Sequence, residues 1–186
     1  MVEIKSFRVI FYTYSIQFSV RIAVTGRPGI GKTTLCLKVY EKLKEKRTIC
    51  GFITKEVRRE RVRVGFIMID LKTGEEAWLA RVGSGKAKVG KYAVFIENID
   101  RFSEKLEDCR SDLIIIDEIG PMELKSRKFV ETVNDLLNYC NNILVTVHYK
   151  SRHWLVEKIK REFKLYVIDE KNRNDVVEEI VSAYDC

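Results

Sequence analysis

The run Gly26-Arg27-Pro28-Gly29-Ile30-Gly31-Lys32-Thr33 constrains this chain more than any other stretch of it. It matches G-x-x-x-x-G-K-[ST] at every fixed position. It also has the context the pattern requires. A short apolar strand, Ile22 to Thr25, precedes it, and a helix from about Lys32 to Lys46 follows, with Leu35, Leu37, Val39 and Leu43 as its apolar positions. A loop between strand and helix can turn successive backbone N–H groups inward as an anion nest, and the helix start adds its positive end. Glycine at 29 and 31 lets the backbone come close to a phosphate. Lys32 is then placed for the β- and γ-phosphates, the Thr33 hydroxyl for Mg²⁺, and Thr34 with nearby amides for the α-phosphate. The loop points to a bound nucleoside triphosphate.

The rest of the chain alternates in the way such a loop needs. Strands are expected at Ile49 to Lys55, Val62 to Asp70, Glu76 to Val82, Tyr92 to Glu97, Leu113 to Ile116, Ile143 to Val147 and Leu165 to Ile168. Helices are expected at Ile99 to Cys109, Ser126 to Tyr139, Ser151 to Arg161 and Asp175 to Ala183. This is an α/β pattern: a mainly parallel central sheet with helices on both faces, three layers in all. The β-rich interval from 49 to 97 breaks the alternation and implies an antiparallel β extension. Within it, Val57 to Arg63 reads as an exposed arginine-rich hairpin.

At 186 residues the chain has the length of one such domain, assigned to residues 21–186. Residues 1–20 are apolar and aromatic and stand apart as an N-terminal extension, readable as an edge strand, a start-site artefact or a docking element. They lack a small-residue cleavage site, which argues against a signal peptide. No window reaches the apolar length of a membrane helix. Five cysteines without C-x-x-C spacing argue against a disulfide framework or a zinc ribbon, and for reduced thiols in the cytoplasm. The net charge of +7 suits a polyanionic ligand, weak nucleic-acid binding, or the Lys/Glu-rich surface of a thermophile protein. The charges are interspersed along the chain, which favours the last.

A second chemical signal is Leu113-Ile114-Ile115-Ile116-Asp117-Glu118, a four-residue apolar run ending in two carboxylates. Ligands of open α/β sheets sit at the carboxyl ends of the strands. Asp117 is therefore the expected Mg²⁺ partner of Thr33, and Glu118 the group that orients or deprotonates a water attacking the γ-phosphate. Glu123 reads either as support for that site or as a solvated residue before the next helix, the latter slightly favoured.

These residues resemble a known group. Gly26–Leu35, Gly51-Phe-Ile-Thr-Lys-Glu-Val-Arg58, Asp117-Glu-Ile-Gly-Pro-Met-Glu-Leu124 and Asn172-Arg173 are similar to motifs of the small nucleoside-triphosphatase family of thermophilic archaea and bacteria. The animal form of that family is called cancer-related nucleoside-triphosphatase. The likeness runs from about Arg21 to the C-terminus and does not include residues 1–20. It implies a RecA- or AAA-like P-loop core and Mg²⁺-dependent hydrolysis of ATP, GTP, CTP and UTP to diphosphate and phosphate. It implies two nucleotide-binding stretches, Gly26–Thr33 and Leu113–Gly120, the second including Ile119 and Gly120. It also raises Arg173 above Arg58 and Arg27 as the cation for the transition state.

Other residues leave more than one reading. Thr146 suits a γ-phosphate sensor or an ordinary strand position. Trp78 and Trp154 suit base stacking or packing. His148 and His153 have no ligand-spaced partners for zinc. Two further functions fit the same loop: a nucleoside or nucleotide kinase, and a nucleotide-gated nucleic-acid-binding module. The Asp117-Glu118 pair favours water as the phosphoryl acceptor.

Overall fold

Alternating apolar and amphipathic runs give nine strands and five α-helices among residues 19–185, the residues that the computed structural model describes. In chain order they are β1 (Val20–Thr25), α1 (Lys32–Leu43), β2 (Ile49–Arg59), β3 (Val62–Asp70), β4 (Glu76–Val82), β5 (Ala87–Val89), β6 (Tyr92–Val94) and α2 (Ile96–Glu107). Then follow β7 (Leu113–Ile119), a 3₁₀ turn (Glu123–Lys125), α3 (Arg127–Tyr139), β8 (Asn142–Val147), α4 (Trp154–Glu162), β9 (Lys164–Val167) and α5 (Arg173–Asp185).

All nine strands join one sheet in the order β5-β6-β4-β3-β2-β7-β8-β1-β9. From β2 to β9 every pairing is parallel, and from β2 outward through β3, β4, β6 and β5 every pairing is antiparallel. The expected architecture is therefore present, antiparallel extension included. The central strands are buried on both faces, as their unbroken apolar runs require. One layer packs α1 and α5 through Leu35, Val39, Leu43, Val176 and Ile180. The other packs α2, α3 and α4 through Phe102, Leu106, Phe129, Val133, Leu136 and Ile159. In this second layer Phe52 stands with Phe102 and Phe129 at centroid distances of 5.9 and 6.1 Å. Each such ring contributes roughly 1.5–3 kcal/mol by leaving water.

Several boundaries differ from the sequence reading, for local reasons. Tyr92 to Glu97 is a strand only to Val94, because β4 offers it partners only from Ala80 to Val82, and α2 begins at Ile96. β5 is three residues between glycines, too short to show a period. Leu37 faces solvent and Cys36 takes the core position beside Leu35. Ser126 is the cap of α3, its hydroxyl accepting from the Phe129 amide at 2.9 Å, and is not its first residue. Of the N-terminal extension, residues 1–18 lie outside the described residues, while Val20 already belongs to β1.

The expectation of reduced thiols fails at one pair. Cys50 of β2 and Cys109, just past α2, are joined as a disulfide with their Cα atoms 6.3 Å apart. A separation of 59 residues hides this contact from any spacing rule. Cys36 and Cys140 are free.

Candidate active site

The parallel strands deliver their carboxyl ends to one edge of the sheet, and the candidate residues meet there. The loop after β1 turns on Gly29 (φ 78°) and Gly31 (φ 109°), left-handed values that glycine adopts without cost. Gly26 is needed for another reason: a Cβ there would lie 2.7 Å from the Ile168 carbonyl oxygen. Helix α1 starts on Gly31 with no side-chain cap and no acidic residue in its first turn. Its amino end therefore keeps amides directed at the loop, where an anion would accept them.

Lys32 is 7% exposed. Its Nζ donates to the Gly26 carbonyl at 3.4 Å and forms an ion pair with Glu118 Oε2, also at 3.4 Å. Thr33 Oγ1 donates to Asp117 Oδ2 at 2.6 Å. Thr146 Oγ1 donates to the other carboxylate oxygen, Oδ1, at 2.5 Å. The Thr54 hydroxyl donates to the Asp117 carbonyl at 2.7 Å, and the Thr54 amide approaches Oδ2 at 3.4 Å. Asp117 is thus held by β8, β2 and α1 at once, with no exposed surface. Burial raises its pKa against the opposing pull of the Thr146 and Thr33 hydroxyls. The thiol of Cys36 beneath it is pushed well up, first by burial and then by the Asp117 charge.

Glu123 is not the solvated residue that the sequence slightly favoured. It is 4% exposed, and its Oε2 accepts the Gly120 amide at 3.1 Å. A Cβ on Gly120 would lie 3.1 Å from Glu123 Oε2 and 3.3 Å from Glu118 Oε1, so the two carboxyls converge over that glycine. Burial, followed by the Glu118 and Asp117 charges, pushes the Glu123 pKa to about 8. The signal available in the sequence was the apolar Met122 and Leu124 on either side, which turn inward with the 3₁₀ segment.

The three arginine candidates separate in space. Arg173, at the start of α5, donates from Nη1 to the Ile30 carbonyl at 3.2 Å and so lies on the loop itself. Arg27 is exposed in the loop. Arg58 sits in the β2–β3 hairpin, bound to the Glu56 carboxylate and the Arg61 carbonyl. Thr146 touches Asp117, the position of a residue that orients a carboxylate. Of the second nucleotide-binding stretch, Leu113 to Ile116 form the buried body of β7, and Asp117 and Glu118 are the side chains that reach the loop's Thr33 and Lys32. His148, just past β8, has its Nδ1 buried without a hydrogen-bond partner among the described residues. A cavity of about 610 Å³ at the opposite edge, around Thr48, Asp112 and Asn142, touches Ile114 of β7 but none of the groups gathered at the loop.

Among the described residues no cluster of three or more His, Cys, Asp or Glu is placed to hold a metal by itself. The Thr33 hydroxyl and Asp117 carboxylate do converge as a pair of hard oxygen donors. That fits Mg²⁺, which takes one or two protein oxygens and completes its shell from phosphates and water.

Residues 21–181 match the family model described as NTPase. The chain is 62% identical over 160 residues to the nucleoside-triphosphatase THEP1 of Archaeoglobus fulgidus, covering 86% of this chain and 96% of that protein. It is 51% identical over 168 residues to the nucleoside-triphosphatase THEP1 of Methanocaldococcus jannaschii, covering 87% and 95%. The crystal structure of THEP1 from the hyperthermophile Aquifex aeolicus superposes with a TM-score of 0.76 at 33% identity, over 90% of this chain and all of that one. The solution structure of a human cancer-related nucleoside triphosphatase gives 0.74 at 32%, over 88% and 96%.

Proposed function

The chain belongs to the NTPase family, and from that premise we propose that it hydrolyses nucleoside triphosphates to diphosphate and phosphate with Mg²⁺ and with little regard for the base. The observation that carries the reading is the Lys32–Glu118 contact: the phosphate-binding lysine and the acidic strand end meet at one point. The catalytic domain so proposed is residues 21–186, acting in the cytoplasm.

The triphosphate lies in the loop from Gly26 to Thr33, its β- and γ-oxygens taking the loop amides and the Lys32 ammonium. Lys32 then exchanges its contact with Glu118 for phosphate oxygen. Glu118, released, accepts a proton from the water that attacks the γ-phosphorus. The new P–O bond forms as the bond to the β-phosphate oxygen breaks, and the nucleoside diphosphate leaves with that electron pair. Arg173, already on the loop, reaches the developing negative charge. Thr33 and Asp117 would hold Mg²⁺, which would neutralise phosphate charge. Thr146 and Thr54 keep Asp117 in place. No group in this scheme addresses the base, which supports a broad range over ATP, GTP, CTP and UTP.

The test is phosphate release from these four nucleotides with Mg²⁺, with and without nucleosides and monophosphates. Release from all four without an acceptor is expected. Transfer that requires one acceptor makes the protein a kinase and removes the role given to Glu118. Lys32→Ala should lose tight triphosphate binding, whereas Glu118→Gln should retain it and lose turnover.

A further inference from the structure

Between Lys55 and Val94 the chain carries ten lysines and arginines against five acidic residues, so this stretch holds five of its seven net positive charges. Folded, it is the antiparallel part of the sheet together with the outer end of β2. One face of that part packs on α2 through Met68, Leu79, Ala80 and Val94. The helices of the other layer, α1 and α5, lie on β2, β7, β8 and β1, and this layer reaches the end of β3, where Ile69 packs with its core and Tyr40 donates to the Leu71 carbonyl. Among the described residues, the face of β4, β6 and β5, and of β3 before Ile69, opposite α2 therefore has no helix over it.

Cross-strand register shows what that face presents, because paired residues share a side. Lys55 stands opposite Ile67, and Ile67 opposite Trp78. In the next row Val57, Gly65, Arg81, Ala93 and Lys88 follow one another across five strands. Gly65 makes room for the indole: a Cβ there would sit 2.9 Å from Trp78 Cζ3. The ring thus lies close against the sheet, with the Arg81 guanidinium 5.3 Å from its centroid. Lys55, Arg81 and Lys88 are exposed and make no ion pair among the described residues. The acidic residue on this side is Glu76, opposite Ile69.

We propose that this open sheet face binds single-stranded nucleic acid, with backbone phosphates on Lys55, Arg81 and Lys88 and a base against Trp78. The rows run roughly 19 Å from β2 to β5, four inter-strand steps. That suits an extended strand laid across the sheet, whose unpaired bases can stack while its phosphates meet spaced cations.

The test uses the full chain with saturating Mg²⁺–ADP, so that the phosphate loop is filled. Trp154→Phe removes the other tryptophan, which is exposed on α4 and far from the face in sequence. Fluorescein-labelled 12-nucleotide RNA and DNA of one mixed sequence serve as probes, and the tighter of the two identifies the source. Expected are a rise in anisotropy, quenching of Trp78, and a roughly 20-fold loss of affinity between 50 and 200 mM KCl for three phosphate contacts. Arg81→Glu with Lys88→Glu should abolish binding and leave phosphate release from ATP unchanged. No binding at 50 mM KCl overturns the proposal. So does binding that survives the double substitution, binding without quenching, or equal affinity for a 12-base-pair duplex. Capture by vesicles of anionic phospholipid in place of the oligonucleotides would assign the patch to a membrane instead.

Discussion

Replacing Glu123 by glutamine tests the most unusual group in the site, a carboxyl 4% exposed and held at a pKa of about 8 by burial beside Glu118 and Asp117. In the unfolded chain the same group titrates near 4.5. Between those values the folded protein keeps a proton that the unfolded chain has released. The folded state thus binds more protons, and stability must fall as pH rises through this window. Integrated from acid to pH 8, the penalty is about 4 kcal/mol at 1.36 kcal/mol per unit. Glutamine keeps a carbonyl oxygen for the Gly120 amide, fills nearly the same volume and cannot ionise. The measurement is denaturant unfolding of both proteins without metal, at pH 5 and pH 8. The two should be nearly equal at pH 5. At pH 8 the variant should be the more stable by several kcal/mol, and its stability should be flatter between the two. A constant difference across that range, or a variant less stable at pH 8, would refute the reading of Glu123 as a buried, proton-bearing carboxyl.

Three further perturbations probe other parts of the structure. Thr146→Val removes the hydroxyl that donates to Asp117 Oδ1 while preserving shape, and should cost about 1.5–3 kcal/mol in thermal or denaturant unfolding. The same variant should need more Mg²⁺ for half-maximal phosphate release, with kcat little changed. With Cys50 and Cys109 bonded, the denatured protein should show three reactive thiols of its five before reduction, and Cys109→Ser should lower stability by about 4 kcal/mol for a loop of 59 residues. Five reactive thiols in protein purified without reductant would exclude the bond. Gly51→Ala should leave little soluble protein, because φ is 115° there and a Cβ would lie 1.9 Å from the Ile115 carbonyl oxygen, between two paired strands. Normal expression and an unchanged melting temperature would count against that packing.

Some of this molecule was determined locally, and that part was readable. The glycine loop needs only contiguous residues of the right conformational freedom between a strand and a helix, so eight letters specify it. The apolar run before Asp117 needs two buried faces, so it reads as a central strand, and a parallel sheet then brings Asp117 to the loop. The interval with strands but no helices between them implies antiparallel pairing. Other features belong to no single stretch. Cys50 and Cys109 meet only because α2 folds back over β2. Thr146 holds Asp117 because β8 lies between β1 and β7, which strand order decides and sequence order does not. Glu123 looks like any acidic residue before a helix until Gly120 and Glu118 close around it. The positive charge looks dispersed along the chain, and only antiparallel register, a long-range property, brings Lys55, Arg81 and Lys88 to one side of the sheet. Contacts between neighbours in sequence are set by composition and backbone freedom, whereas contacts across the sheet exist only once strand order and register have been chosen by burial of the whole core.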